Sequence, residues 1–260
     1  MRSFSKRDLH SAALPKEFLA KKLKLVREIM QREEIDLWIT FTREGNPDPV
    51  AADLGLDAVV WRSAALIDAS GNDEALVGNL DAESVRQSGI YDSVYGYGRG
   101  EGASTKLGEL VASKKPKKIA LNSSTDYGAA DGLTSGMAKY LKRSLRRHSA
   151  GEPAIVSSED LVIALRAQLI PEEIRFMKAA VRECEKLFEF AEQDCIRVGR
   201  TDRQIHEMMK GETKRRGLEL SWSEGSCPVV AIGSSPAGHL GYSGATLKKG
   251  QLLRLDFGVR

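Results

Sequence analysis

The stretch Leu252-Leu-Arg-Leu-Asp-Phe257 sets an acid inside an apolar, strand-forming run, with Gly258 directly after it. A carboxylate there is costly to bury alone, so Asp256 calls for a metal, an arginine or a hydrogen-bond cluster beside it. Working back along the chain, the turn-rich loop Gly233-Ser-Ser-Pro-Ala-Gly238 delivers His239, seventeen residues before Asp256. Before that loop, Cys227-Pro-Val-Val-Ala-Ile232 reads as a second strand. On residue types alone one histidine and one aspartate do not make a site. A structural aspartate at a strand end and an ordinary loop histidine remain the simpler accounts.

Two helices precede these strands. Pro171-Glu-Glu suits a first turn, because proline lacks the N–H that would be unpaired there and acids suit the positive helix end. Ile174, Met177, Val181, Cys184, Leu187, Phe188 and Ala191 then form one apolar face, and Gly199 ends the element. A second helix spans Asp202 to Arg216 and closes at Gly217. This part of the chain is therefore α+β, helices first and strands after. Upstream, a helix over Lys16 to Glu33 leads into Asp36-Leu-Trp-Ile-Thr-Phe-Thr42, and Ala58 to Ile67 forms a hairpin with Ala75 to Leu80 across Ser70-Gly-Asn-Asp73. Helical stretches near Thr105 to Ala112 and Leu133 to Leu145 flank the strand Lys118 to Asn122. Such alternation makes the first 150 or so residues α/β. The texture changes near Gly151-Glu-Pro153, where Ala154 to Val156 is β-like and Ser157-Ser-Glu-Asp opens a helix through Leu161 to Leu169. The boundary is placed there, giving domains 1–152 and 153–260.

Composition limits the partners. Lys+Arg 39 against Asp+Glu 36 leaves +3, too small a surplus to favour nucleic acid or an anionic membrane. No run approaches a membrane span, and Met1 to Pro15 is polar and basic without the apolar core of a signal peptide. Cys184, Cys195 and Cys227 include no CxxC pair and read as buried thiols in a reducing compartment. A cytoplasmic protein is expected.

Other motifs are weaker. Tyr95-Gly-Tyr-Gly-Arg-Gly-Glu-Gly102 invites a phosphate-loop reading but lacks both GxGxxG spacing and the Walker Lys-Ser/Thr, so it reads as a flexible strand-to-helix loop. His206-Glu-Met-Met-Lys210 misses HExxH by its last residue and reads as ordinary helix surface. No GxSxG nucleophile elbow occurs. The basic runs Lys114 to Lys118 and Lys142 to Arg147 have no interleaved aromatics and read as solvated faces.

Pattern by pattern, the chain resembles the pita-bread metallopeptidases of the aminopeptidase P, prolidase and creatinase group, preceded by their creatinase-like N-terminal domain. The resemblance runs through Ile35-Asp-Leu-Trp-Ile, Asp48-Pro, Ile119-Ala-Leu-Asn-Ser-Ser, Ala130-Asp-Gly-Leu-Thr134, Leu161-Val-Ile-Ala-Leu-Arg166 and Pro171-Glu-Glu-Ile. It is strongest in Cys227 to Gly233, Gly238-His239 and Leu247-Lys-Lys-Gly-Gln-Leu-Leu-Arg-Leu-Asp-Phe-Gly-Val259. The implied fold is an α/β creatinase-like domain followed by the first part of an α+β pita-bread domain.

The resemblance implies that Asp256 is the first metal-bridging aspartate of a site holding two divalent ions, manganese, cobalt or zinc. It implies that His239 is the catalytic histidine beside the metals, facing the substrate or its reacting carbonyl. The chemistry would be two-metal hydrolysis of the bond before proline in Xaa-Pro peptides, in which the ions activate a bridging water and polarise the carbonyl. In the family a second aspartate, a histidine and two glutamates complete the ligand set further on. Arg260 comes four residues after Asp256, so four of the five ligands are expected beyond it, and His10, His148 and His206 have no counterpart as ligands. The 260-residue chain by itself is therefore expected to be inactive and not to bind a dinuclear metal site, with an uncovered apolar face and an unpaired strand edge. Two alternatives share the fold: a metal-independent creatinase-like amidinohydrolase using His239 as general base, and a non-catalytic peptide-binding module. The family implies a homodimer in full-length form, and no nucleic-acid or membrane partner.

Overall fold

The computed structural model describes residues 16–100, 102–146, 152–234 and 241–260. The chain forms two compact units that divide between Ile170 and Pro171.

In the first unit every residue of β1 (Leu37–Thr42) is buried, as befits a strand covered on both faces. Side chains alternate along a strand, so Leu37, Ile39 and Phe41 face one way. They enter a core with Leu107 and Leu110 of α3 (Ala103–Lys114) and Leu141 of α4 (Ser135–Arg146). Trp38 faces the other way, toward Leu23, Val26 and Met30 of α1 (Lys16–Arg32) and Leu161 and Leu165 of α5 (Glu159–Ala167). The result is a three-layer α/β unit around a six-stranded sheet. Its other strands are β2 (Ser63–Asp68), β3 (Glu74–Gly78), β4 (Ser93–Tyr97), β5 (Lys118–Leu121) and β6 (Ala154–Ser157), in the order β4-β3-β2-β1-β5-β6. Only β2 runs against its neighbours, so the carboxyl ends of the other five lie along one edge of the sheet. The helix α2 (Ala82–Ser88), ended by Gly89 at φ 63°, and the strand β4 are elements that the sequence reading left unassigned.

The division differs from the expected boundary at 152/153. Strand β6 pairs in parallel with β5, from Lys118↔Ala154 to Leu121↔Ser157. Helix α5 covers the apolar stripe of α1 through the shared core, and beyond it the Lys22 ammonium donates to the Gln168 carbonyl at 2.6 Å. Residues 153–170 are thus needed to finish the first sheet and one of its covering layers. The basic run at Lys114 is also not simply a solvated face, because the Lys114 ammonium is largely buried between Asp68 (3.1 Å) and Glu74 (3.4 Å).

A polar cluster is sealed into this unit. The Trp38 indole N–H donates to Asn122 Oδ1 at 2.7 Å, the Ser158 hydroxyl donates to the same oxygen, and the Asn122 amide donates to Asp48 Oδ1 at 2.8 Å. Asp48 is buried and its second oxygen, Oδ2, has no hydrogen-bond partner among the described residues. Burial pushes its carboxyl up to about 6, against the opposing pull of the Val50 N–H and Asn122 bonds.

The second unit contains α6 (Pro171–Phe190), which runs into a π-helical turn at 191–195, then α7 (Asp202–Arg215) and the hairpin of β7 (Val229–Ile232) and β8 (Leu253–Asp256). Its core joins Ala191, Cys195, Ile205, Met209 and Val230, with Leu253, Leu255 and Phe257 packed against them. The apolar face predicted on α6 is present but only its end is used. Leu187 is buried and the Phe188 ring meets that of Phe257 at a tilt of 49° with centres 4.6 Å apart, whereas Met177 is 54% and Val181 56% exposed. All three cysteines are free, with Cys195 and Cys227 buried and Cys184 half-buried. Among the described residues no helix is long and apolar enough to cross a membrane.

Candidate functional site

The hairpin that carries Asp256 is antiparallel, with Val229 opposite Asp256 and Val230 opposite Leu255. Directly opposed residues share a face, and the faces alternate along each strand. Because Val230, Leu253 and Leu255 pack against the helices, Asp256 and Arg254 occupy the other face with Val229 and Ala231. Both charged residues are exposed. The acid in the apolar strand is thus not a buried carboxylate after all: alternation turns it outward. Asp256 makes no side-chain hydrogen bond or ion pair among the described residues. Burial pushes the Cys227 thiol up, and the Asp256 charge acts in the same direction.

His239 lies outside the described residues, as do His10 and His148. The chain on either side of 235–240 is firmly tied. Before it, the Gly233 N–H donates to the Leu252 carbonyl at 2.8 Å. After it, the Val230 N–H donates to the Gly241 carbonyl at 2.7 Å, which lays Gly241 along β7. Gly241 has φ 81°, and a side-chain carbon at that position would stand 2.6 Å from the Gly225 carbonyl oxygen, so glycine is required on both counts.

Helix α7 supplies the rest of the anchoring. Thr201 caps it and forms a reciprocal box with Gln204, the Gln204 N–H donating to Thr201 Oγ1 at 3.2 Å and the Thr201 N–H to Gln204 Oε1 at 2.9 Å. In the first turn, buried Asp202 accepts from the N–H groups of Ser243, Gly244 and Ala245 and from the Ser243 hydroxyl. Burial alone would raise its carboxyl; these four donors outweigh it and hold the group below the usual range. One turn on, His206 Nδ1–H donates to the Pro228 carbonyl at 2.6 Å, and its ring meets Tyr242 edge-on at 5.0 Å. A carbonyl only accepts, so the proton sits on Nδ1. The expectation that His206 is ordinary helix surface is corrected: it is 1% exposed, because the helix turns Asp202, His206 and Met209 toward the hairpin. Sequence reasoning missed Asp202, His206 and Tyr242 as positioning residues. The signal available was the Thr-x-x-Gln box, which fixes where α7 starts and hence which face looks inward.

The donor set does not by itself fit two metal ions. Asp256 is a single carboxylate, and among the described residues no group of three or more His, Cys, Asp or Glu side chains is placed to hold a metal. Each ion of a two-metal centre needs several oxygen or nitrogen donors.

No protein-family model matches the sequence, and no curated protein matches it. Solved structures do. The chain is similar to an Xaa-Pro dipeptidase from Bacillus anthracis, with a TM-score of 0.66 and 17% identity over 93% of this chain and 61% of that one. It is similar to the dipeptidase PepE from Mycobacterium ulcerans, with a TM-score of 0.69 and 16% identity over 95% and 62%. An X-Pro aminopeptidase from Thermotoga maritima gives a TM-score of 0.63 and 20% identity over 89% and 60%. The chain therefore has the mixed α/β fold found in Xaa-Pro dipeptidases, prolidases and X-Pro aminopeptidases, and it spans about 60% of the length of these structures.

Proposed function

We propose that the chain builds the amino-terminal unit and the first half of the catalytic fold of a metal-dependent Xaa-Pro peptidase. In this reading Asp256 is a metal ligand, His239 faces the scissile carbonyl, and the substrate is a peptide with proline in the second position. Manganese, cobalt or zinc would supply the polarising charge, and the full site would work as a homodimer.

The observation that carries the reading is Asp256 itself. It is an exposed carboxylate, without a side-chain partner among the described residues, on the hairpin face opposite Val230 and Leu255, in a chain that shares its fold with Xaa-Pro dipeptidases over more than nine-tenths of its own length. Asp256 and Arg254 alternate with Leu253 and Leu255 along β8, so the Asp256 carboxylate stands outside the core and is open to a ligand. The anchors at Asp202 and His206 tie down Tyr242 to Ala245, which follow His239 in the sequence.

With no group of three or more metal-ligating side chains among the described residues, the 260-residue chain is proposed not to turn over peptides by itself. The test follows amide signals in nuclear magnetic resonance during a Mn(II) titration, beside an assay for cleavage of an Xaa-Pro dipeptide. Weak paramagnetic broadening centred on β8, lost in Asp256→Asn, with no cleavage, is the expected result. Broadening confined to other elements would remove Asp256 as a ligand, and Mn(II)-dependent cleavage would overturn the claim of an incomplete donor set. Creatine turnover in the presence of EDTA would favour the amidinohydrolase reading instead. Saturable binding of a proline peptide without turnover would favour a binding module.

A further inference from the structure

A second site lies in the first unit, well separated in sequence from Asp256. A cleft of about 430 Å³ is lined by Arg43, Arg62 and Arg99, the aromatics Trp61, Tyr97 and Tyr140, the rim acid Glu44, and Gly102 and Ala103 at the start of α3. Its size is that of a small-molecule site.

Topology explains why these residues meet. Arg43 directly follows β1, and Tyr97 and Arg99 come at and after the end of β4, so both arginines sit at carboxyl ends of co-directional strands. Trp61 and Arg62 precede β2, the one reversed strand, and so reach the same edge. Ligands of open α/β sheets bind at this edge, where loops converge over the strand ends and helices begin.

The floor is built. Trp61 packs on the β3 backbone, and a side-chain carbon at Gly78 would stand 2.7 Å from its ring. The Trp61 and Tyr97 rings lie 5.6 Å apart, and the Tyr97 hydroxyl donates to the Arg62 carbonyl at 2.9 Å. The Arg62 guanidinium lies 4.5 Å from the centre of the Tyr140 ring, and that of Arg99 lies 5.8 Å from Trp61. A guanidinium held by its face keeps its in-plane N–H donors free for an oxyanion. Among the described residues none of the three arginines makes a side-chain hydrogen bond or an ion pair. Among the described lining residues three guanidinium groups stand against the carboxylate of Glu44, with Asp81 behind the lining and accepting from the Val60 N–H at 3.1 Å, and α3, twelve residues long, adds its positive end through Gly102 and Ala103.

From this we propose that the cleft binds a dianionic phosphate group, presented either as inorganic phosphate or as a phosphomonoester of a small organic molecule. A phosphate dianion, with more acceptor oxygens and charge than a single carboxylate, suits a cleft lined by three guanidinium groups and a helix N-terminus. The glycine-rich stretch Tyr95 to Gly102, which lacks the spacing of a known phosphate loop, then serves a phosphate site through its arginine and through the helix that it opens.

The test titrates the 260-residue chain with inorganic phosphate, adenosine monophosphate and adenosine at constant ionic strength, read by calorimetry and by backbone amide shifts at residues 97–104. Saturable binding of the two phosphates but not of adenosine, weakened at least about tenfold in Arg62→Gln/Arg99→Gln and unchanged in the remote Lys24→Gln, is expected. If the double variant loses its circular-dichroism signature, the single Arg43→Gln replaces it. Tighter binding of the nucleotide than of inorganic phosphate assigns the site to an organic phosphomonoester, and equal binding assigns it to free phosphate. Absence of saturation at about 10 mM phosphate, or equal binding by the arginine variants, overturns the proposal. None of these readouts involves Asp256 or metal, so they stand or fall apart from the peptidase reading.

Discussion

Ser243 donates both its N–H, at 2.8 Å, and its hydroxyl, at 2.7 Å, to the Asp202 carboxylate, across 41 residues of sequence. Gly244 and Ala245 add their N–H groups at 2.9 and 3.1 Å. A single buried side chain on α7 thereby satisfies the backbone of a whole turn, the turn that follows the segment holding His239.

Replacing Asp202 with alanine strands those donors and is expected to destabilise the second unit by roughly 2–4 kcal/mol. Hydrogen exchange at 243–245 should rise well before exchange in α7. Because the folded carboxyl is held below its ordinary value of 3.8, its contribution is present at neutral pH and is lost as acid protonates the folded state. The stability gap between wild type and variant in denaturant unfolding should therefore be constant above pH 3.8 and narrow only as pH falls below that value. A constant gap between them at all pH values would remove the carboxylate charge from the explanation.

Asp48 has the opposite sign. Its folded value near 6 exceeds the ordinary 3.8, so between those values the folded state holds a proton that the unfolded state does not. The first unit should gain stability as pH falls from 6 toward 4, by at most about 1.4 kcal/mol per unit from this group. Asp48→Asn keeps the shape and removes the charge. It should raise the melting temperature at pH 7 and flatten this part of the pH profile, and an unchanged slope would exonerate Asp48.

His206→Ala removes the donor to the Pro228 carbonyl and leaves a gap beside Tyr242, with an expected loss of about 2–4 kcal/mol. His206→Asn, which can place an amide N–H near the former Nδ1, should recover part of it. Equal losses in both variants would show that ring packing, not the hydrogen bond, holds the start of β7.

On α6, Met177→Glu and Val181→Lys should each change the stability of the 260-residue chain by no more than about 0.5 kcal/mol, since both side chains are more than half exposed. Leu187→Ala, on the same helix but buried, should lose about 2–4 kcal/mol. Chemical unfolding of the three variants makes the comparison.

Most elements were legible because their signals are local. The Pro171-Glu-Glu start, the Thr201 to Gln204 box and the β-rich Leu37 to Thr42 each reflect the chain's own stereochemistry. The elements missed, α2 and β4, are short and lie beside or within glycine-rich sequence, where pairing with β3 rather than propensity makes the strand. The domain boundary was misplaced for a related reason: Ala154 to Ser157 carries no mark of which sheet it will join, and only the ladder to β5 assigns it.

For the candidate site, the sequence determined that a carboxylate stands in an apolar strand and that a histidine follows a turn-rich loop, because residue type and spacing are one-dimensional facts. The tertiary structure decided that Asp256 faces away from the helices, that His206 is a buried anchor rather than surface, and that three arginines from separate loops share one cleft. Facing depends on strand register and burial on what packs above. Convergence of loops depends on strand order, and each of these is fixed only when distant segments pair.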